Sequence, residues 1–247
     1  MITMDVAPGI HAVTAAGTNL YVVHDGPDVT IVDAGLPRMW DETTEVLRRI
    51  GRGWDDVAGI VLTHGHFDHL GILAPARDRH QVPVWVHPGD AHIVRHPYRY
   101  RPGRPRLAYP VRYPRAVPHL ARMVAAGALQ VRGVDPTHSL RDGDVVDLPC
   151  RPVVVATPGH TDGHCALHLP SRDVVFTGDA LVTLDPYTGR TGPRVVARAG
   201  THDAKAAEAS LASIAATGAT IVAPGHGHPW LSGAASAADS ARRAGIA

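Results

Sequence analysis

The chain is poor in cysteine, with two among 247 residues, and neither belongs to a Cys-x-x-Cys pair. A disulfide framework is thereby excluded, and Cys150 and Cys165 read as reduced core thiols of a cytoplasmic protein. No uninterrupted apolar run approaches the roughly twenty residues that a membrane-spanning helix needs. The opening Met1-Ile2-Thr3-Met4-Asp5 has neither the basic start nor the apolar core of a signal peptide, so no membrane partner is expected. There is no internal repeat. A Gly-x-Ser-x-Gly elbow and a Walker-type phosphate loop are also missing, and with them two common routes to hydrolysis. A net charge of +1 lacks the general electrostatic footprint of a nucleic-acid binder. What remains, 45% apolar and 19% charged residues, is the composition of a globular chain, read here as one domain over 1–247.

Against this background stands the run Thr63-His64-Gly65-His66-Phe67-Asp68-His69, which directly follows the apolar strand Gly59-Ile60-Val61-Leu62. Imidazole is the commonest biological metal ligand and carboxylate joins it readily. On an extended segment, residues two apart project to the same side. His64 and His66 can therefore grip one ion while the turn sends Asp68 and His69 towards a neighbouring position. A His-rich surface loop is the bland alternative in a chain with 17 histidines.

Three further strand ends carry ligand-type residues. Thr157-Pro158-Gly159-His160-Thr161-Asp162-Gly163-His164 follows Pro152–Ala156, Phe176-Thr177-Gly178-Asp179-Ala180 follows Asp173–Val175, and Ala223-Pro224-Gly225-His226-Gly227 follows Thr220–Val222. Each is a β-branched run ending in a glycine-containing turn that presents a His or Asp. Loops on a rigid sheet are where active sites are built.

His-x-His-x-Asp-His followed by Gly-His, Gly-Asp and Gly-His in this order resembles the metallo-β-lactamase-fold hydrolase superfamily. Asn19-Leu20-Tyr21-Val22-Val23 and Thr30-Ile31-Val32-Asp33-Ala34-Gly35 are similar to that family's opening hairpin and Asp-x-Gly turn. The resemblance implies an α/β (α+β) fold, a four-layer αββα sandwich. It implies that His64, His66 and His160 hold one divalent ion, that Asp68, His69 and His226 hold a second, and that Asp179 bridges the two. Zinc is the first expectation, with iron or manganese as alternatives. Two adjacent cations would bring a bridging water to hydroxide near neutral pH, with Asp68 and Asp179 as the catalytic carboxylates. Asp33 is either an orienting acceptor for a metal-bound imidazole or a plain turn residue. His164 reads as a supporting or packing residue rather than an eighth ligand. Tyr187, in the turn Asp185-Pro186-Tyr187-Thr188-Gly189, and His228 are candidates for substrate contact.

The expected reaction is hydrolysis of a carboxylic ester, lactone or thioester. Glutathione thioesters are less favoured, because the chain ends soon after His226. β-Lactam or phosphodiester hydrolysis on the same site, an iron-dependent sulfur dioxygenase and a non-catalytic binding member are the rivals. The substrate is a small molecule, and a homodimer is possible.

Residues 91–134 differ from the rest in containing nine arginines, interleaved with Tyr98, Tyr100, Tyr109 and Tyr113, and no acidic residue. Six prolines prevent a long helix before about Val117. Three readings of this insertion stay open: a lid over an apolar substrate with arginine holding an anion, a nucleic-acid surface, or a proline-stiffened excursion whose arginines are solvated or paired elsewhere. Outside it, helices are expected at Arg38–Ile50 (with Trp40, Val46, Leu47 and Ile50 inward), from Asp203 to Ala216 and within Ser232–Ala247. Strands are expected at Val82–Val86 and near Val145, Val154, Ala166 and Val175.

Overall fold

The computed structural model describes residues 1–100, 102–105 and 108–247; Arg101 and Arg106 of the arginine-rich segment lie outside the described residues. The larger sheet follows the chain order β1 (Ile2–Ala7), β2 (Ile10–Ala15), β3 (Thr18–Asp25), β4 (Asp28–Val32), β5 (Val57–Val61), β6 (Val84–Val86) and β7 (His138–Ser139). The second sheet contains β8 (Val153–Ala156), β9 (Cys165–Leu169) and β10 (Val174–Gly178). After the hairpin β11 (Val182–Leu184) and β12 (Thr191–Arg194) it is completed by β13 (Ile221–Pro224), in the order β13-β10-β9-β8. The helices are α1 (Trp40–Arg49), α2 (Leu73–His80), α3 (Ala91–Arg95), α4 (Ala108–Arg112), α5 (Val117–Ala125), α6 (Ala204–Ala216) and α7 (Ala234–Ala244).

The period-2 alternation of strand side chains produces the layering. In β3, Leu20 and Val22 pack with Val46 and Leu47 of α1 and Leu73 and Ala76 of α2, whereas Tyr21 and Val23 turn to the other face. That face meets Leu167 of β9 and Val174 and Phe176 of β10. Val175 points away from it, into a third cluster with Leu211 and Ile214 of α6 and Ala237 and Ala238 of α7. Helices, sheet, sheet and helices therefore form the αββα sandwich of the metallo-β-lactamase fold.

Strand direction places the ligand-bearing loops. β4, β5 and β6 are parallel, so the turns after them leave from one edge. β10 and β13 are parallel, and β8 shares their direction through antiparallel β9. The segment after β6 departs from the same edge as the His64 turn and returns as β7.

Several local expectations are corrected. A 3-10 turn at Pro37–Met39 precedes α1, and Met39, Thr43, Val46 and Leu47 are its buried residues, while Trp40 and Ile50 are half-buried. Trp40 stacks on buried Trp54 at the margin of the core, with ring centroids 4.1 Å apart. Asp203 caps α6 rather than sitting in its first turn, accepting from the Lys205 and Ala206 amides. Val145 makes a single bridge to Val153 rather than a strand. Cys150 is half-buried, so only Cys165 is a core thiol.

Candidate metal centre

The turn after β5 carries His64 and then His66, the latter on extended backbone, before a 3-10 turn, Phe67–His69, that redirects Asp68 and His69. The two sheets meet so that the turns after β8, β10 and β13 add His160, Asp179 and His226. Three overlapping groups result, His64/His66/His160, His64/His69/Asp179 and Asp68/His69/His226, each with its ligand atoms within 4.8 Å of one another. Asp179 reaches both ends of the cluster. One oxygen lies 3.5 Å from His69 Nε2 and the other 3.4 Å from His160 Nε2 and 3.3 Å from His226 Nε2. Asp68 Oδ2 is 3.2 Å from His226 Nε2. His66 points its Nδ1 inward, 2.8 Å from His160 Nε2.

The outward nitrogens are held by oxygen atoms. His69 Nδ1 is 3.0 Å from Asp33 Oδ2, His64 Nδ1 is 3.0 Å from Thr63 Oγ1, and His226 Nδ1 is 3.4 Å from Thr18 Oγ1. His160 Nδ1 faces Thr201 Oγ1 at 3.4 Å. The Thr63 hydroxyl gives its one proton to the Asp33 carboxylate, so it accepts from His64 Nδ1–H and leaves the Nε2 lone pair facing the centre. Asp33 sits at φ +60 and also receives the Thr63 amide, so the orienting reading describes its contacts and the plain-turn reading does not. His164 lies behind the ligands. Its Nε2 accepts from the Asp179 and Ala180 amides, and its Nδ1 faces Thr157 Oγ1 at 2.8 Å.

Glycine makes the close approach possible at two turns. A Cβ on Gly225 would collide with Asp179 Oδ1, and one on Gly178, at φ +46, would collide with Thr63 Oγ1.

His64 Nε2, His69 Nε2, His226 Nε2 and Asp179 Oδ1 are buried and without a hydrogen-bond partner among the described residues. His69 Nε2 and His226 Nε2 face the carboxylates of Asp179 and Asp68 at 3.2–3.5 Å, so this buried volume needs a cation, either protons on the imidazoles or metal, to balance it. The donor set of imidazole and carboxylate suits divalent zinc, iron or manganese. The residues present thus fit divalent metal.

Titration behaviour follows from burial and charge. Burial holds His64 and His164 well below the ordinary histidine range, and lowers His160 to about 4. Burial also opposes charge on His69 and His226, but neighbouring carboxylates outweigh it. Asp33 and Asp179 hold His69 well above its ordinary value, and Asp179 and Asp68 raise His226 to about 9. For Asp179 burial is likewise outweighed, by His226 and His69, and its pKa falls well below the carboxylate range.

Sequence reasoning missed Asp90. Its buried carboxylate receives the Gly65 amide at 2.7 Å, the Thr161 hydroxyl at 2.7 Å and the Gly163 amide at 2.8 Å, fastening the first metal loop to the second. The motif His87-Pro88-Gly89-Asp90 reads locally as a turn, so only the fold shows the role. Asn19 was read only as a hairpin residue. It donates to the Pro224 and Gly227 carbonyls and fixes the His226 turn.

Tyr187 lines a small cavity with His66, Asp68, His160 and Asp179, while its backbone keeps the turn geometry by donating to Asp185. His228 lies elsewhere, in a cavity with Met1, Gly17 and Trp230 that contains none of the seven candidate ligands. In the arginine-rich segment, the Tyr100 ring sits 4.0 Å from that of His66, and Arg99 lines a cavity with His66 and His160. Arg95 and Arg132 pair instead with exposed Asp135 and Asp78. Arg112 and Arg115 line a separate cavity of about 540 Å³ with Arg190 and Arg194.

Residues 13–226 match the family model of the metallo-beta-lactamase superfamily. Among curated relatives, the probable metallo-hydrolase YflN of Bacillus subtilis is 29% identical over 73% of this chain and 67% of its own. An uncharacterised protein of Mycobacterium tuberculosis is 31% identical over 87% of this chain and 88% of its own. A hydroxyacylglutathione hydrolase of Ruegeria pomeroyi is 31% identical over 66% of this chain, spanning 48% of that enzyme. A solved metallo-beta-lactamase family protein from Thermus thermophilus superposes with a TM-score of 0.68 at 25% identity, over 95% of this chain and 78% of that one. A second structure, in a di-iron-bound form, gives a TM-score of 0.61 at 25% identity over 93% and 96% of the two chains.

Proposed function

The chain belongs to the metallo-beta-lactamase superfamily, and within it we propose a dinuclear hydrolase of a carboxylic ester, lactone or thioester. The observation that carries this reading is the convergence of orphaned imidazole nitrogens and one carboxylate oxygen on a single buried volume. His64, His66 and His160 would hold one ion, Asp68, His69 and His226 the other, and Asp179 would touch both. When bound, such ions acidify water towards neutral pH and polarise a carbonyl. Zinc is the proposed metal; the di-iron neighbour makes iron the alternative.

The chain's own residues define the rest of the reaction. Water adds to the carbonyl carbon, and Asp68, at the rim of the small cavity, takes its proton. The acyl carbon–oxygen or carbon–sulfur bond then breaks, and Asp68 returns the proton to the leaving oxygen or sulfur. Asp33, Thr63, Thr18 and Thr201 keep the imidazoles oriented, so little reorganisation accompanies the reaction. The similarity to a hydroxyacylglutathione hydrolase supports an acyl substrate. Metal analysis of protein purified without chelator, followed by turnover on ester, lactone, thioester, β-lactam and phosphodiester substrates, tests the proposal. Two ions per chain and acyl hydrolysis are expected. Fewer than two ions at full occupancy removes the dinuclear reading, and a silent panel removes the hydrolase.

A further inference from the structure

The small cavity at the candidate metal centre shares four of its lining side chains with a neighbouring groove. Phe67, Leu120, Met123 and Tyr187 line the cavity beside Asp68 and Asp179, and the same four line a groove of about 320 Å³ that runs on past Tyr98 and Leu129. Phe67 sits between His66 and Asp68 in the chain, so the groove starts one side chain from the ligands. One side of it is a stripe of α5, since Leu120, Met123 and Val124 are spaced i, i+3, i+4. Tyr98 stacks on Phe67 with centroids 5.9 Å apart. The Tyr98 hydroxyl donates to the Ala128 carbonyl and accepts from the Val131 amide, which leaves the ring as an apolar wall.

Among the described residues no charged side chain lines this groove, yet its outer wall is open to solvent: Tyr98 is 47% exposed, Val124 51% and Leu129 70%. A contiguous apolar surface of that kind beside a reaction centre marks a binding site. The opposite flank of the centre differs in character. There a cavity of about 340 Å³ contains His66 and His160 together with His92, Arg99, Asp162 and His202. The candidate ligands thus sit between an apolar and a polar compartment.

We propose that the groove is the acyl-binding site: it takes an unbranched or aromatic apolar acyl group, with the scissile carbonyl at the metal centre and a polar leaving group on the Arg99 side. The inference rests on the hydrolase reading and adds the substrate's orientation and the chemistry of its acyl half.

The zinc-loaded protein is assayed on p-nitrophenyl esters from acetate to decanoate. Burying successive methylenes should raise kcat/KM roughly threefold for each until the groove is filled. Val124→Glu and Leu129→Glu, both on the open wall, should flatten that rise, lowering kcat/KM on the decanoate ester at least about tenfold more than on the acetate ester. A second measurement needs no turnover: calorimetric titration with decanoate should show binding that acetate lacks, and Leu129→Glu should weaken it several-fold, through lost apolar contact and repulsion between the two carboxylates. A flat chain-length profile overturns the proposal, as does decanoate binding that ignores both variants. If no ester is cleaved while decanoate binds and the variants abolish it, the groove stands and the hydrolase reading falls. If Leu129→Glu instead splits a wild-type dimer in sedimentation and changes neither profile, the groove is a subunit contact and the acyl assignment is wrong.

Discussion

The four metal-type loops and the segment 91–134 are built in opposite ways. In the loops, each candidate ligand is buried, and His64, His69, His160 and His226 present an outward nitrogen to a named oxygen. Asp90 and Asn19 tie the loops to one another and to the sheet. In the segment, apolar side chains stand open to solvent and the ion pairs Arg95–Asp135 and Arg132–Asp78 lie on the surface. Such exposed pairs contribute about 0–1 kcal/mol each. The difference teaches where change is tolerated. The candidate ligands are cross-braced by hydrogen bonds, whereas the exposed apolar side chains of the segment, Val124 and Leu129 among them, can be replaced without removing any of those bonds.

The sharpest way to break that contrast is within the loops. Asp179→Ala should lower metal content measured by elemental analysis and reduce kcat/KM by at least about 100-fold, beyond what losing a supporting residue usually costs. Full activity in that variant would remove the bridging role. Asp90→Ala comes next. It strands the Gly65 and Gly163 amides and the Thr161 hydroxyl. A cost of roughly 3 kcal/mol follows, a fall in Tm of about 6–12 °C by calorimetry, with metal affinity down about 10- to 100-fold. A Tm within about a degree of wild type would show the loops to be independent of this clamp.

A third effect is read by pH. In the metal-free protein His226 titrates at about 9, above its ordinary value of 6.5. Its stabilising charge is therefore fully present below about pH 6.5 and lost as pH rises through about 9. Metal-free protein should lose several degrees of Tm between about pH 7 and about pH 9.5, while zinc affinity rises over the same interval because binding displaces the proton. A metal-free Tm that climbs across that window contradicts the charge arrangement. The smallest effect belongs to the segment: Arg95→Ala and Arg132→Ala should each change stability by less than about 0.5 kcal/mol in urea titration and leave metal content untouched. A larger loss would erase the comparison.

Legibility in the sequence divides along the same line. The candidate ligands announce themselves because metal chemistry demands particular side chains at strand ends, and His64 to His69 do so within one short run. Asp33 is half legible: its turn position is local, but its bond to His69 spans 36 residues. Asp90, Thr18 and Thr201 are illegible, since a lone aspartate after Pro-Gly or a lone threonine is ordinary until something is packed against it. Residues 91–134 are recognisable by composition, and composition says nothing of faces. Tyr100 packs on His66 and Tyr98 on Phe67, while Arg112 and Arg115 join Arg190 and Arg194 in a separate cavity.

By itself, then, the sequence determined which side chains can bind metal, that they stand at the ends of β-branched strands, and the family to which the chain belongs, because periodicity and ligand chemistry are local properties. Only the tertiary structure decided that His66 and His160, 94 residues apart, approach to 2.8 Å, that Asp179 reaches both ends of the cluster, and that an apolar groove opens beside them. Those facts depend on how two twisted sheets pack and which way each strand runs, and no window of neighbouring residues contains that information.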